Sequence, residues 1–446
     1  MKVLLLGSGG REHALAWRIS QSPRLDRLWV AEGNAGTARL ATNLPIDPGD
    51  TRSVVETARS LGIDLVVVGP EMPLANGVVD RLAEAGIPAF GSTQAAARIE
   101  SSKGFARALM QEAGVPGPNF GVFQDEQRAL EYLSTRPGST VVKADGLAAG
   151  KGVLLCPTAE EAAAAVHRCL TEGAFGAAGK TVVIEEFLTG QEVSVFAFTD
   201  GETISPLVAA CDYKQVGDGD VGPNTGGMGS YTPPVFWNEG LAKEVKRTVI
   251  APVLRELAGR GTPYRGVLYA GLMLTEKGIQ TLEFNCRFGD PEAQVILPLL
   301  ESDPLEVMLA CAQGTLDQVS VSWRSQAHVG VVMTSGGYPG EYETGFRITG
   351  LELEIPSTIV FHAGTKLAGE NSQDPEAVVT SGGRVLTAVG WGGNLADARS
   401  NAYRRLEMIQ FDGCYYRKDI GHTGIGEIPS PVEKGAWLPN PVPQSL

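Results

Sequence analysis

Residues 281–292, TLEFNCRFGDPE, hold the densest group of side chains that can do chemistry. Because side chains alternate across a β-strand, Glu283, Asn285 and Arg287 are expected on one face. The intervening apolar residues are expected in the core: Leu282, Phe284 and Cys286. A carboxylate and an amide oxygen suit Mg²⁺, and a guanidinium beside them can neutralise a transferring phosphoryl group. The stretch predicts a phosphoryl-transfer site, and the alternative is a row of solvated polar side chains.

A glycine-rich connection, KADGLAAGKG at residues 143–152, joins two apolar runs. It is not a Walker P-loop, because Lys151 is followed by Gly152 and a strand. The pattern instead predicts a flexible cover for a triphosphate, with Lys143 reaching phosphate oxygens and Gly150 and Lys151 within the cover. Such a cover would keep an acyl phosphate from water. An ordinary exposed hairpin is the alternative.

The opening motif GSGGREHA, residues 7–14, places Gly9 and Gly10 between an apolar run and a helix. The N–H groups at a helix N-terminus can hold a phosphate or a carboxylate. A dinucleotide site is supported by Glu32, near the end of the next strand, but opposed by Glu12, which replaces the third glycine of GxGxxG. A nicotinamide or flavin enzyme and a plain tight turn are therefore the alternatives.

The motif EEFL, residues 185–188, ends an apolar run whose backbone can read the edge of an adenine ring. A glutamate shortly after it can accept hydrogen bonds from ribose hydroxyls. The predicted nucleotide contacts are Glu185, Glu186, Leu188 and Glu192. Solvated acids at the end of a strand would give the same pattern.

Residues 211–229, CDYKQVGDGDVGPNTGGMG, are too long and too rich in glycine for a plain connection. Long loops in compact proteins are often functional. Asp212 and Lys214 can bind the ammonium and the carboxylate of a small zwitterion. Donors to an anion are expected from three later residues: Asn224, Thr225 and Gly226. A glycine-rich surface loop is the alternative.

The elements that must position these groups change character along the chain. Residues 1–100 alternate continuous apolar runs with helical patterns, which indicates a parallel α/β unit. A helix with a serine cap that ends at Gly114 begins a strand-rich centre, residues 101–325. A β-rich unit over residues 326–424 and a proline-rich tail over residues 425–446 complete the chain.

The composition excludes several classes of function. With 446 residues, of which 43% are hydrophobic, the chain can form about three soluble domains. The sequence shows neither a signal h-region nor an apolar stretch long enough to cross a bilayer, so a cytoplasmic protein is expected. A net charge of −14 opposes binding to nucleic acid or to an acidic membrane. The six cysteines are scattered without CxxC spacing, so neither a disulfide framework nor a zinc site is expected.

Several motifs follow one another along the chain: GSGGREHA, GNAGTA, GPE, KADGLAAGKGV, EEFL, GPNTGGMG, FNCRFGDPE, HAGTK and RKDIG. In this order the chain resembles the phosphoribosylamine–glycine ligase family, ATP-grasp enzymes of purine synthesis, as far as about residue 421. RFGDPEAQ is the most specific of these signatures. The resemblance implies an α/β and α+β multidomain fold: a Rossmann-like N-terminal domain, an ATP-grasp domain with a mobile lid at about residues 120–190, and a β-rich C-terminal domain.

The resemblance also implies roles for individual residues. The phosphate-binding lysines would be Lys103 and Lys143. The adenine contacts would be Glu186 and Leu188, and the ribose contact would be Glu192. The ligands of Mg²⁺ or Mn²⁺ would be Glu283 and Asn285. The positions expected near glycine and the reacting phosphate are Asp212, Arg287 and Asp290. DYK at residues 212–214 replaces the DHK or DHKR often found in the family, so no catalytic role is predicted for Tyr213.

The reaction implied by the resemblance uses ATP to convert free glycine to glycyl phosphate. Attack by 5-phosphoribosylamine then gives glycinamide ribonucleotide, ADP and phosphate. The expected partners are these small molecules, and a monomer is expected. An ATP-grasp carboxylase, a formate-using ligase, a nicotinamide oxidoreductase and a non-catalytic nucleotide sensor are the alternatives.

Overall fold

The N-terminal layer of the fold is a parallel sheet of short apolar strands. The computed structural model describes residues 1–148, 152–370 and 372–422. The strands are β1 (Lys2–Gly7), β2 (Arg27–Glu32), β3 (Thr42–Leu44), β4 (Leu65–Val68) and β5 (Ala89–Phe90). They lie in the order β3-β2-β1-β4-β5, with every neighbouring pair parallel. The accompanying helices are α1 (Gly10–Ile19), α2 (Thr51–Leu61), α3 (Glu71–Ala75), α4 (Val78–Glu84) and α5 (Gln94–Ser101), with a 3₁₀ turn at Thr37–Arg39. The predicted parallel α/β unit is confirmed.

Helix α6 (Lys103–Glu112) leads from this sheet to a second one. Its first turn is capped by Ser102, whose Oγ accepts a hydrogen bond from the Phe105 N–H at 3.2 Å. The second sheet contains β6 (Phe120–Phe123), β7 (Thr140–Ala144), β8 (Val153–Cys156) and β9 (Val182–Glu186), and it is antiparallel in the order β6-β9-β7-β8. Helices α7 (Glu126–Ser134) and α8 (Ala159–Leu170) and a 3₁₀ turn at Gly176–Lys180 complete this unit. It encloses a hydrophobic core of its own, and its sheet is called the lid sheet below because it falls within the predicted lid at about residues 120–190.

A large antiparallel sheet forms the rest of the molecule. Its strands are β10 (Gln191–Thr199), β11 (Val208–Asp212), β14 (Gly229–Thr232), β15 (Gly266–Thr275), β16 (Gly278–Asn285), β17 (Ala327–Thr334), β18 (Thr358–His362) and β21 (Arg384–Gly392). Two small hairpins stand outside it: β12 (Gln215–Gly217) with β13 (Val221–Asn224), and β19 (Thr365–Leu367) with β20 (Val378–Thr380). The strand order is β16-β15-β10-β11-β14-β17-β21-β18. Because β14 pairs with β17, the sheet runs without interruption past residue 326.

Helices cover this sheet and connect its strands. They are α9 (Glu239–Val245), α10 (Ala251–Gly259), α11 (Glu292–Ile296), α12 (Pro304–Gln313) and α13 (Leu395–Leu406). A π-helical turn at Lys246–Ile250 separates α9 from α10, and 3₁₀ turns lie at Leu297–Leu299 and Leu316–Gln318. Among the helices of the described ranges, none has the length and apolar character needed to span a membrane.

One part of the predicted alternation on β16 is wrong. Phe284 and Cys286 are buried in the core, but Leu282 is half-buried and lies outside it. The strand contains a bulge, since Glu283 pairs with Gly271 and Thr281 pairs with Leu272, which leaves Leu282 as the extra residue. The strand also ends at Asn285, so Arg287 lies just beyond it.

Candidate functional site

The two predicted metal ligands lie side by side at the end of β16. Asn285 Nδ2 is 3.5 Å from Glu283 Oε1, so the amide and the carboxylate share one face of the strand. Gly271 on the paired strand makes room for Glu283, because a Cβ there would lie 3.2 Å from Glu283 Cγ. No cluster of three or more metal-binding acids, histidines or cysteines occurs in the part of the chain that the structure describes. Two oxygen donors fit Mg²⁺ or Mn²⁺ that is completed by phosphate and water.

Glu283 is surrounded by cations from four different parts of the chain. Burial raises the pKa of its carboxyl, but Lys214, Lys143, Lys103 and Arg287 outweigh burial and lower the pKa overall. Lys103 comes from the start of α6, where burial lowers the pKa of its own ammonium and its Nζ donates to the Gly146 carbonyl at 3.1 Å. Cations on several sides of one carboxylate can together reach the oxygens of a triphosphate.

Lys143 is held in place by a buried ion-pair network that the sequence did not reveal. Its Nζ lies 2.8 Å from Glu185 Oε2, and Arg107 binds the same carboxylate at 2.6 Å and 2.8 Å. Arg107 also donates to the carbonyls of Thr281 and Leu282, both at 2.8 Å. The side chains of Glu185 and Arg107 are each 3% exposed. The network therefore ties the lid sheet to β16, and it engages both carboxylate oxygens of Glu185.

Arg287 is also fixed by carboxylates that sequence reasoning missed. Its Nη2 lies 2.9 Å from Glu100 Oε1, and its Nε lies 3.3 Å from Glu71 Oε2. Burial raises the pKa of the Glu100 carboxyl despite Arg287, whereas at Glu71 the charges of Arg287 and Arg11 outweigh burial and lower the pKa. Glu71 belongs to the GPE motif and Arg11 to GSGGREHA, so their membership in those motifs was the sequence signal that could have identified them as site residues. Arg11 and Arg287 both donate to the Phe288 carbonyl, at 3.1 Å and 3.3 Å.

The predicted zwitterion-binding residues meet the predicted ribose contact. Lys214 forms an ion pair with Glu192, and both Asp212 and Glu192 raise the pKa of the Lys214 ammonium above its usual value despite burial. Burial raises the pKa of the Asp212 carboxyl, and the attraction of Lys214 does not fully offset it. These three residues come from β10, β11 and the loop after β11. They form one partly buried group of alternating charge beside Glu283.

The structure uses two of the three predicted anion donors for internal hydrogen bonds. Thr225 donates to the Lys214 carbonyl from its N–H at 2.7 Å and from its hydroxyl at 2.8 Å. The Gly226 N–H donates to the Tyr338 hydroxyl at 3.0 Å. Asn224 lies exposed on β13. The structure therefore brings Thr225 to Lys214, but it does not present Thr225 and Gly226 as open donors.

Two of the predicted adenine contacts, Glu186 and Leu188, lie at and just beyond the end of β9. Glu186 is the last residue of that strand, and its carboxylate accepts a hydrogen bond from Asn119 Nδ2 at 2.6 Å. Leu188 follows in the irregular segment before β10. Gly150 and Lys151, predicted as parts of the cover, lie outside the described residues, as does the predicted tail at residues 425–446.

A second feature, a cavity of about 440 Å³, opens at the carboxyl ends of β1 and β2. It is lined by groups from the N-terminal sheet, the FGDPE loop and the C-terminal strands: Ser8, Gly9, Glu32, Gly33, Asn34, Asp290, Ala363, Gly364, Thr365, Lys366, Ser381 and Arg384. Arg384 forms an ion pair with Asp290 at 3.4 Å. Asp290 Oδ2 accepts from the Arg11 N–H at 3.4 Å, which fixes it against the start of α1. Gly10 does not line the cavity, because it packs against Gln294.

The turn of GSGGREHA is closed to a dinucleotide by its own glutamate. Glu12 Oε2 accepts from the Gly9 N–H at 2.7 Å, and Glu12 Oε1 lies 2.6 Å from Arg11 Nε. Its side chain occupies the space beside Gly7 and Gly69 where a Cβ would clash with it. A carboxylate in this position repels a pyrophosphate, so the nicotinamide and flavin alternatives lose support.

Three family models match the chain in sequence. The phosphoribosylglycinamide synthetase N domain matches residues 1–100, the ATP-grasp (A) domain of the same family matches residues 101–293, and its C domain matches residues 328–423.

Curated proteins and solved structures agree with these matches. A phosphoribosylamine–glycine ligase from Nostoc is 50% identical, covering 95% of this chain and 99% of the relative, and one from Escherichia coli K12 is 46% identical with the same coverage. The crystal structure of a phosphoribosylamine–glycine ligase from Thermotoga maritima has a TM-score of 0.81 at 33% identity, covering 94% of this chain and 100% of that one. A biotin carboxylase domain from Hydrogenobacter thermophilus shares the fold, with a TM-score of 0.69 at 15% identity.

Proposed function

The chain belongs to the phosphoribosylglycinamide synthetase family, and from this membership we propose how its side chains carry out the reaction. It is an ATP-dependent ligase that joins free glycine to 5-phosphoribosylamine, giving glycinamide ribonucleotide, ADP and phosphate in purine biosynthesis. The carboxylate of free glycine is a poor electrophile because its charge is delocalised. Conversion to glycyl phosphate supplies the missing leaving group.

Two steps account for the reaction. One carboxylate oxygen of free glycine attacks the γ-phosphorus of ATP, and the bond to ADP breaks. The amine of 5-phosphoribosylamine then attacks the acyl carbon, phosphate leaves, and the amine loses a proton. Lys103 and Lys143 bind phosphate oxygens, while the guanidinium of Arg287 stabilises the negative charge on the phosphoryl group that is transferred. Mg²⁺ or Mn²⁺ bound at Glu283 and Asn285 would supply a Lewis acid.

The nucleotide would lie between the lid sheet and β16. We assign the adenine edge to the backbone of Glu186 and Leu188, and the ribose hydroxyls to Glu192. Glu185 is better suited to orienting Lys143 than to touching adenine, because Arg107 and Lys143 already engage both of its oxygens. This assignment follows from the burial of the network and from its contact with the carbonyl of Leu282, next to Glu283.

Free glycine would bind beside Glu283. We assign its ammonium to Asp212 and its carboxylate to Lys214 and Arg287, which brings the carboxylate towards the lysines that hold the γ-phosphate. The support for this assignment is electrostatic: the pKa of Asp212 is raised and that of Lys214 is raised in a shared buried setting. A zwitterion would satisfy both groups.

The cavity would receive the phosphate and ribose of 5-phosphoribosylamine. Its cations are Lys366 and Arg384, and these side chains rather than the Gly9 N–H, which Glu12 occupies, would hold the phosphate. Asp290 orients Arg384 in this arrangement, so we assign it a positioning role. The cavity lies next to the cations around Glu283, because Asp290 lines the cavity and follows Arg287, one of those cations, by three residues.

Finer features of the enzyme are also proposed here. We propose that either Mg²⁺ or Mn²⁺ serves as the metal, that the enzyme is a monomer, and that it works in the cytoplasm. We further propose a division at about residues 100 and 325, with the lid at about residues 120–190. The matched ranges 1–100, 101–293 and 328–423 support the division at about residues 100 and 325.

The observation that carries the assignment of the site is the convergence of four cations on Glu283. Free glycine labelled with ¹⁸O in its carboxylate tests the reaction, because an acyl phosphate intermediate transfers one labelled oxygen to inorganic phosphate. We expect that label together with ADP release that depends on free glycine. Label confined to the product, or ADP release triggered by bicarbonate or formate instead, would refute the proposal.

The site is tested with a matched pair of variants in one hairpin. Glu283→Gln should lower kcat by orders of magnitude, because it removes a metal ligand and the one carboxylate that all four of these cations face. Glu276→Gln, at the exposed turn of the same hairpin, should retain wild-type turnover. Equal activity in the two variants would contradict the placement of the phosphoryl-transfer site.

A further inference from the structure

Residues 415–419 bind the β12–β13 hairpin, and the main contact is made by a buried arginine, Arg417. The Arg417 side chain is 0% exposed, although it carries a charge. Its Nε and Nη2 donate to Asp419 at 2.8 Å and 2.6 Å, and its Nη1 donates to Asp220 at 2.8 Å and to the Gln215 carbonyl at 3.0 Å. Its guanidinium carbon lies 4.8 Å from the ring centre of Tyr213.

Residues next to Arg417 form further hydrogen bonds with the hairpin. The Tyr415 hydroxyl donates to the Val216 carbonyl at 3.0 Å. The Lys418 N–H donates to Asp218 Oδ1 at 2.7 Å, and the Gly219 N–H donates to Asp419 Oδ2 at 2.8 Å. These bonds connect residues 415–419 with the first strand and with the tip of the hairpin.

The hairpin needs this support because it has little of its own. Its strands contain three and four residues, its register is irregular, and residues 218–224 are exposed. An isolated two-stranded hairpin is marginally stable in water. Its geometry is therefore set by what holds it, and residues 415–419 hold it at the tip.

The base of the hairpin carries the residues assigned to free glycine. Lys214 directly precedes β12, and Thr225, directly after β13, donates twice to its carbonyl. Tyr213 lies between Lys214 and Asp212, and its hydroxyl accepts from the Gly421 N–H at 3.0 Å. A displacement of the hairpin or of Tyr213 would reach Lys214 and Asp212 directly.

We propose that Arg417 is a positioning residue for the binding of free glycine, which it serves by fixing the β12–β13 hairpin and the ring of Tyr213. The inference rests on the proposed function of the site. A lysine cannot replace it, because a single ammonium lacks the planar fork that bonds Asp419, Asp220 and a carbonyl at once. The adenine edge and the triphosphate are assigned to residues outside the hairpin, and the link from the hairpin to ATP is the ion pair of Lys214 with Glu192, the ribose contact. The clamp that Arg417 forms on the hairpin therefore acts on free glycine more than on ATP.

Two variants and a control test the clamp by steady-state kinetics in the full-length enzyme. Asp220→Asn removes the negative charge that faces Arg417 at an exposed tip, and the positive φ of 54° at this position suits asparagine as well as aspartate. We expect it to raise the KM for free glycine about tenfold, and Arg417→Lys to raise it further, with a smaller change in the KM for ATP. Asp412→Asn, an exposed change in the same C-terminal region, should leave both KM values at wild type.

The possible outcomes separate the clamp from the function on which it rests. A wild-type KM for free glycine in folded Asp220→Asn, or an equal rise in the KM values for ATP and free glycine, would overturn the clamp alone. If Arg417→Lys does not fold, as judged by circular dichroism, Asp220→Asn decides. If the wild-type enzyme releases no ADP in response to free glycine, the clamp and the proposed function are overturned together.

Discussion

Replacing Glu185 with glutamine would leave two buried cations without their anion. Arg107 and Lys143 both contact this carboxylate within 2.8 Å, and neither side chain is more than 8% exposed. Removing one partner from a buried ion pair costs about 3–5 kcal/mol, because the remaining charge keeps its desolvation penalty. We expect Glu185→Gln to lower the free energy of unfolding by that amount at pH 7, measured by urea denaturation.

The pH dependence of this loss follows from the pKa of Glu185. Burial raises that pKa, but Lys143 and Arg107 outweigh burial, so the folded pKa lies below the value in the unfolded chain. The stabilisation is thus complete above the unfolded pKa of about 4.3 and is lost as the pH falls through the folded pKa. The difference between wild type and Glu185→Gln should be full at pH 7 and should shrink below about pH 4.

Activity gives a second readout of the same network. Freed from Glu185, Lys143 no longer has a fixed position next to Leu282 and Glu283, so the KM for ATP should rise. Glu131→Gln, an exposed change on α7 of the same unit, is the matched control and should leave both stability and the KM for ATP at wild type. Wild-type stability of Glu185→Gln at pH 7, or a stability difference that does not change on acidification, would refute the reasoning.

Three further outcomes are expected. Asn34→Asp should raise the KM for 5-phosphoribosylamine at least about tenfold, because Asn34 Nδ2 donates to the carbonyls of Ser8 at 2.8 Å and His362 at 2.9 Å, which a carboxylate would repel; an unchanged KM would contradict this role. Burial lowers the pKa of His328 to about 4, so on acidification the unfolded chain binds a proton before the folded chain does, and this histidine alone should make stability fall by about 1.4 kcal/mol per pH unit between about pH 6.5 and 4. Because burial also lowers the pKa values of His13 and His362, His328→Gln should reduce the slope without abolishing it in urea titrations at pH 7, 6 and 5, and an unaltered slope would count against it. Asn285→Ala should raise the Mg²⁺ concentration for half-maximal activity more than Asn285→Asp, which keeps an oxygen ligand, and the reverse order would argue against Asn285 as a ligand.

Local patterns in the sequence predicted much of the site. Period-two alternation placed Glu283 and Asn285 on one face, and a serine followed by an apolar helical run located the start of α6. The alternation failed at Leu282 because a bulge depends on pairing with another strand, which a single strand's sequence does not encode. The N-terminal parallel α/β unit could be predicted because continuous apolar runs indicate strands that are buried on both faces.

Interactions between distant parts of the chain were the features that sequence reasoning missed. Arg107 and Glu185 are separated by 78 residues, and nothing about an arginine in the second turn of a helix marks it as the partner of a particular carboxylate. Glu71 and Glu100 were overlooked as partners of Arg287 for the same reason. Tyr213 was left without a role, whereas its contacts with Arg417 and Gly421 became visible once the chain was folded.

The continuity of the large sheet past residue 326 limits how the protein can be divided. A chain truncated at residue 325 would lose β17 and leave the backbone N–H and C=O groups of β14 unpaired along a newly formed edge. Exposed edges of this kind recruit strands from other molecules. Expression of the first 325 residues alone should therefore yield aggregates, and genetic splitting of this enzyme should succeed better at the exposed lid connection near Gly114 than at the border of the C-terminal region.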